Sequence, residues 1–135
     1  MSITLNTGND ISFFKAGSDL SAKQFYFVVL NSSSQLALAT ANVECLGVLQ
    51  DKPTSGVAGQ VRTFGVSKVV CGGTFNPGDR IASDANGKAV KYTAASVSAG
   101  TPEPLAGSIV QGIALEAGAS GQTAAVLITH SGLNN

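Results

Sequence analysis

Arg80-Ile81-Ala82-Ser83-Asp84-Ala85-Asn86-Gly87-Lys88-Ala89-Val90 places two short apolar-bearing runs on either side of Asn86-Gly87. Asn and Gly tolerate the positive φ that a tight turn between antiparallel strands requires, so the stretch reads as a β-hairpin. The same grammar recurs outward in both directions. Lys52-Pro53-Thr54-Ser55-Gly56, Gly72-Gly73, Asn76-Pro77-Gly78-Asp79 and Ala117-Gly118-Ala119-Ser120-Gly121 are clusters in which glycine supplies positive φ or proline fixes its own. Between the clusters, the runs predict strands at 24–30, 36–40, 43–50, 60–70, 80–83, 88–92, 109–115 and 123–130. The first stops at Asn31-Ser32-Ser33-Ser34, whose side chains compete for backbone hydrogen bonds. Short strands punctuated this often predict an all-β fold, a small barrel or sandwich with little helix.

Helix is expected only as a single turn over 19–24, with Ser18 as its cap. Residues 1–17 read as an extended N-terminal arm, and 18–135 as one β-domain with a long loop at about 93–107. That loop is rich in Ala, Ser, Gly and Pro and is longer than most connections in a compact domain; a surface loop and a partner-contacting loop are both open readings. A weak internal echo is also present. Cys45-Leu46-Gly47-Val48-Leu49 leads to Gly59-Gln60-Val61, and Val110-Gln111-Gly112-Ile113-Ala114 leads to Gly121-Gln122-Thr123, which hints at two related hairpins.

The chain has 135 residues, which allows one domain with a modest core. Alanine, glycine, serine and threonine together supply 59 of them. Small side chains bury little area each, at roughly 25 cal/mol per Å², so self-association is a natural source of extra stability. Eight basic and eight acidic residues cancel, which lacks the basic excess of a nucleic-acid binder. The longest wholly apolar run, 25–30, is far below the roughly 20 residues of a membrane-spanning helix, and the first residues lack the charged-then-apolar pattern of an export signal.

Catalytic and metal chemistry find little to work with. A Ser-His-acid set needs a histidine to take the proton, and His130 is the only one. Cys45 and Cys71 lie 26 residues apart in apolar surroundings without a second histidine to complete a zinc site, and read as two buried reduced thiols, with a disulfide between neighbouring strands as the alternative. The acids are scattered and several sit at turns, where Asp bonds its own backbone. Gly72-Gly73 lacks the lysine and following helix of a phosphate loop. With no Trp, and Tyr26 and Tyr92 the only tyrosines, an aromatic platform for sugars or single-stranded nucleic acid is not expected. No catalytic, cofactor-binding or metal site is expected.

Taken end to end, the chain resembles the capsid decoration, or cement, proteins of tailed bacteriophages. The resemblance rests on Asp19-Leu20-Ser21-Ala22, then Leu46-Gly47-Val48-Leu49-Gln50-Asp51 and the Gly59-Gln60-Val61 re-entry, then the run from Pro77-Gly78-Asp79 through Asn86-Gly87 to Val90. Gly112-Ile113-Ala114-Leu115-Glu116-Ala117 with Gly121-Gln122 closes it, so that it spans roughly residues 19–128. The resemblance implies a compact, β-tulip-like domain without catalytic residues or cofactor. It further implies a virion protein made in the host bacterial cytoplasm, which binds the major capsid protein on the outer surface of the expanded head. Homotrimers at three-fold positions and reinforcement of the shell against DNA pressure follow from the same resemblance, and neither nucleic acid nor membrane is an expected partner.

The residues themselves fit such a role. A surface of small side chains loses little rotamer entropy on burial in an interface. Ile3, Leu5, Ile11, Phe13 and Phe14 stand on an otherwise polar arm in which residues 1–14 carry a single charge, Asp10. They are the expected capsid or inter-subunit contact; the alternative is a first strand tucked into the domain's own barrel. The competing functional reading is a receptor- or carbohydrate-binding β-module of a phage fibre or tail, and a small hydrolase ranks last.

Overall fold

The structure is a computed structural model that describes residues 8–41, 43–93 and 109–133, the last three through their backbone. The long loop expected at 93–107 falls, beyond Thr93, outside the described residues. Nine strands are present among the described residues: β1 (Gly8–Lys15), β2 (Phe27–Leu30), β3 (Leu36–Leu38), β4 (Gly47–Leu49), β5 (Ala58–Val70), β6 (Arg80–Ser83), β7 (Ala89–Lys91), β8 (Ile109–Ala114) and β9 (Thr123–Leu133). They pair antiparallel in the order β3-β2-β4-β5-β9-β8-β6-β7, with β1 added to β5. The sheet curls into a half-barrel, so the all-β, barrel-like expectation holds. A parallel bridge between Cys71 and Ala89 and the bond from Phe27 N–H to the Gly87 carbonyl (2.8 Å) tie distant parts of the curl together.

The central strands read as continuous apolar runs because both of their faces are buried. On β2, Phe27 enters one core with Val48, Val69, Phe75, Ile81, Val126 and Ile128. Its neighbour Val28 points the other way, into a second core with Ala16, Leu20, Leu36, Leu49 and Val61. β4 does the same, with Val48 in the first and Leu49 in the second. Successive strand residues face opposite sides, so a run without alternation signals cover on both.

The echo in the sequence has a counterpart in the fold. Gly47 on β4 and Gly112 on β8 each lie against the partner strand so closely that a Cβ would sit 2.1 Å from the carbonyl oxygen of Arg62 or Leu127. Each of these two hairpins therefore needs glycine at the same relative place, for close backbone approach.

Two details depart from the sequence reading. Residues 19–24 form no helix. The Asp19 carboxylate accepts from Ser21 N–H (3.0 Å), and successive turns close from Lys23 N–H to Leu20 O and from Tyr26 N–H to Lys23 O. A side-chain acceptor two residues upstream offers the backbone a turn in place of a helical ladder. At the other end, Gly132 and Leu133 pair with Val110 and Ile109, so β9 runs on past His130, where the sequence pattern ends the last strand.

Candidate interaction site on the first strand

β5 presents its residues 58–65 to β1 and 65–70 to β9, and Gly65 faces both Gly8 and Ile128. The strand is bent between these halves. Gln50 donates its backbone N–H to the Gln60 carbonyl (2.7 Å) and its side-chain amide to the Ser67 hydroxyl (2.8 Å), although seven residues of straight strand would span about 23 Å. Gly65, at φ +105°, and an extra residue at Thr63 in the β1 register lie inside the bend. There His130, itself at φ +52°, donates from Nε2 to the Thr63 carbonyl and sets its ring edge-on to Phe64 at 5.0 Å.

β1 is anchored by charge and by apolar packing. The Asp10 carboxylate takes Arg62 Nε at 2.6 Å on Oδ1 and Nη2 at 3.0 Å on Oδ2, while Arg62 Nη1 donates to the Val66 carbonyl at 2.9 Å. Such a two-toothed contact fixes orientation as well as charge. The Arg62 hydrogen bond, with a further one from Gln60, holds the Asp10 carboxyl below its ordinary range against the opposing effect of burial. Asp10 is the only charge in the first fourteen residues, and it meets an arginine that is otherwise buried.

A bulge then decides which aromatic faces out. Ile11 pairs with Val61 and Phe14 with Gly59, so β1 carries one residue more than β5 over that interval. Strict alternation would put Ile11 and Phe13 on one side; the bulge instead packs Ile11 and Phe14 against the second core. Phe13 is left 70% exposed, its ring 4.5 Å from that of Phe14. Of the five expected contact residues, then, Phe13 faces solvent, Ile11 and Phe14 are half-buried on the chain's own core, and Ile3 and Leu5 lie outside the described residues.

Elsewhere the polar groups serve the fold. Gln111 is buried, accepts from Cys45 N–H (3.1 Å) and donates to the Val43 carbonyl (2.8 Å), clasping β8 to the segment before β4. Nothing beside Gln111 in the sequence signals that role, since the partners lie more than sixty residues away. Cys45 and Cys71 are both free and buried. Burial pushes the Cys45 thiol up to about 12 and raises Cys71 as well. Among the described residues no three His, Cys, Asp or Glu gather as metal ligands, and no helix is long and apolar enough to cross a membrane.

No curated protein matches the chain. Among solved structures, the N base of the head fibre gp8.5 of bacteriophage phi29 superposes with a TM-score of 0.66 at 22% identity, covering 94% of this chain and all of that one. That likeness is one of fold. The family model of phage cement proteins matches residues 5–130, nearly the whole chain, and the chain therefore belongs to the phage cement protein family.

Proposed function

We propose that the chain binds the exterior of the expanded phage head as homotrimers at three-fold positions and stabilises the shell against the pressure of packaged DNA. Family membership supports a structural role in the virion, and the exposed Phe13 on an otherwise anchored strand is the observation that points to a contact. The contact comprises Ile3, Leu5, Ile11, Phe13 and Phe14 within an arm of residues 1–17, borne by a β-domain of 18–135. Phe13 meets the partner, and Ile11 and Phe14 set its place. The partners are the major capsid protein and other copies of this chain; the reading needs no cofactor, nucleic acid or membrane, and no catalytic step.

A second reading, the base of a fibre standing on the head, is favoured by the fold shared with the phi29 head-fibre base. Quantitative mass spectrometry of purified virions separates the two. A ratio to the major capsid protein near one supports trimers that fill the three-fold positions, whereas a few copies per virion would favour the fibre base.

A further inference from the structure

The outer side of the sheet from β5 to β6 carries an apolar band. Val66, Leu127 and Ile113 face one another across β5, β9 and β8, and Arg80 continues the row on β6. Their strand neighbours Ser67, Val126 and Ala114 are buried, so alternation turns this row outward. Ile113 is 37% exposed, and Leu115, just past β8, is 44% exposed. In the next row the exposed Lys68 stands opposite Ala125. Lys68 and Arg80 form no ion pair among the described residues, and the nearby Glu116 carboxylate is engaged by Ala125 N–H at 3.2 Å.

We propose that this band is a second docking surface, apart from β1, and that its occupant is a protein surface of the phage shell with an apolar centre and an acidic margin. Charge complementarity selects that partner. A second copy of this chain docked by the same face would present the same cationic margin, and like charges brought together at an interface weaken it. The inference rests on the reading that the chain binds the head, and it names the face that completes the contact begun by Phe13. Burial of the central side chains supplies affinity, while Lys68 and Arg80 at the margin supply steering and salt dependence.

The test is co-sedimentation with heads of the source phage depleted of this protein. Wild type, a Lys68→Glu/Arg80→Glu variant and an Ile113→Ser/Leu115→Ser variant are compared at low and high salt. Both variants are expected to bind about tenfold or more weakly, with melting temperature and sedimentation coefficient as in wild type, and wild-type binding should weaken as salt rises. If both variants bind as wild type does, the docking surface is overturned while head binding through β1 stands. Loss of a wild-type oligomer in the variants would assign the face to a second copy and also overturn it. No binding by wild type would sink the head-binding reading and this inference with it. Should the serine variant fail to fold, the charge-reversed one, altered only at exposed side chains, decides alone.

Discussion

The Asp10 carboxylate lies 2.6 Å from Nε of Arg62, joining residues 52 apart in sequence. It gives the first strand a fixed register on β5 and gives a buried guanidinium its counter-charge. Removing one partner of such a pair leaves the other desolvated.

Asp10→Ala should therefore cost about 2 kcal/mol, discounted from the fully buried case because the pair is partly exposed, and lower the melting temperature by about 6 °C. The native carboxyl titrates below its ordinary value of 3.8. Its stabilisation is thus fully present above the unfolded-state pKa and is lost as pH falls through the native one. Thermal melts from pH 6 to pH 2 should show a steeper acid limb in wild type than in the variant; parallel curves would refute the pairing.

Phe13 and Phe14 should part company. Phe13→Ser is expected to leave stability within about 0.5 kcal/mol of wild type but to weaken attachment to heads. Phe14→Ser should cost about 2 kcal/mol through lost packing on the second core. Denaturant melts alongside head co-sedimentation distinguish them, and equal melting losses would contradict the bulge that sends the two rings to different sides.

Gln111→Leu keeps most of the volume and removes both hydrogen bonds, leaving Cys45 N–H and the Val43 carbonyl without that partner. The expected cost is about 2–3 kcal/mol, with amide exchange at Cys45 accelerated beyond the global change. Unaltered exchange there would mean that the clasp does not form in solution.

The thiols should be silent while the protein is folded. With Cys45 raised to about 12, little thiolate exists at pH 8, and thiolate is the reactive species. A chromogenic thiol reagent should count no fast-reacting cysteine until denaturant is added. Cys45→Ser should cost about 1–2 kcal/mol for a hydroxyl placed in an apolar site, and an unchanged melting temperature would remove Cys45 from the core.

Two turn glycines offer an internal control. Both Gly78 (φ +88°) and Gly87 (φ +75°) have positive φ, but a Cβ at Gly78 meets nothing within 4 Å, whereas at Gly87 it would lie 2.9 Å from the Phe27 carbonyl and 2.8 Å from Leu38 Cδ1. Gly78→Ala should cost about 1 kcal/mol of backbone strain, and Gly87→Ala distinctly more. Equal losses by calorimetry would refute the packing of the hairpin tip against β2.

Much of the architecture was legible because its determinants are local. Asn86-Gly87 marks a turn whatever surrounds it, and the unalternating runs at 27–30 and 47–49 announced strands though not the reason both faces are dry. β1 reads as an arm because Asn9, Asp10 and Ser12 interrupt its apolar pattern. Its partner strand lies some fifty residues on, and nothing local encodes that pairing. The bulge that separates Phe13 from Phe14 is likewise a property of the β1–β5 register. Composition pointed to the two cysteines as buried; only the fold shows that Gln111 holds one of them by its backbone.

Synthesis order makes the β1–β5 pairing consequential. The segment bearing Ile11, Phe13 and Phe14 emerges from the ribosome about fifty residues before Ala58–Val70, a delay of several seconds at ~5–20 residues per second. During that interval three large apolar side chains have no strand to dock on, and Asp10 on one side and Lys15 on the other are the charges that oppose their premature association with other nascent chains. The residue that locks the finished register is thus also one of two gatekeepers of the unfinished one.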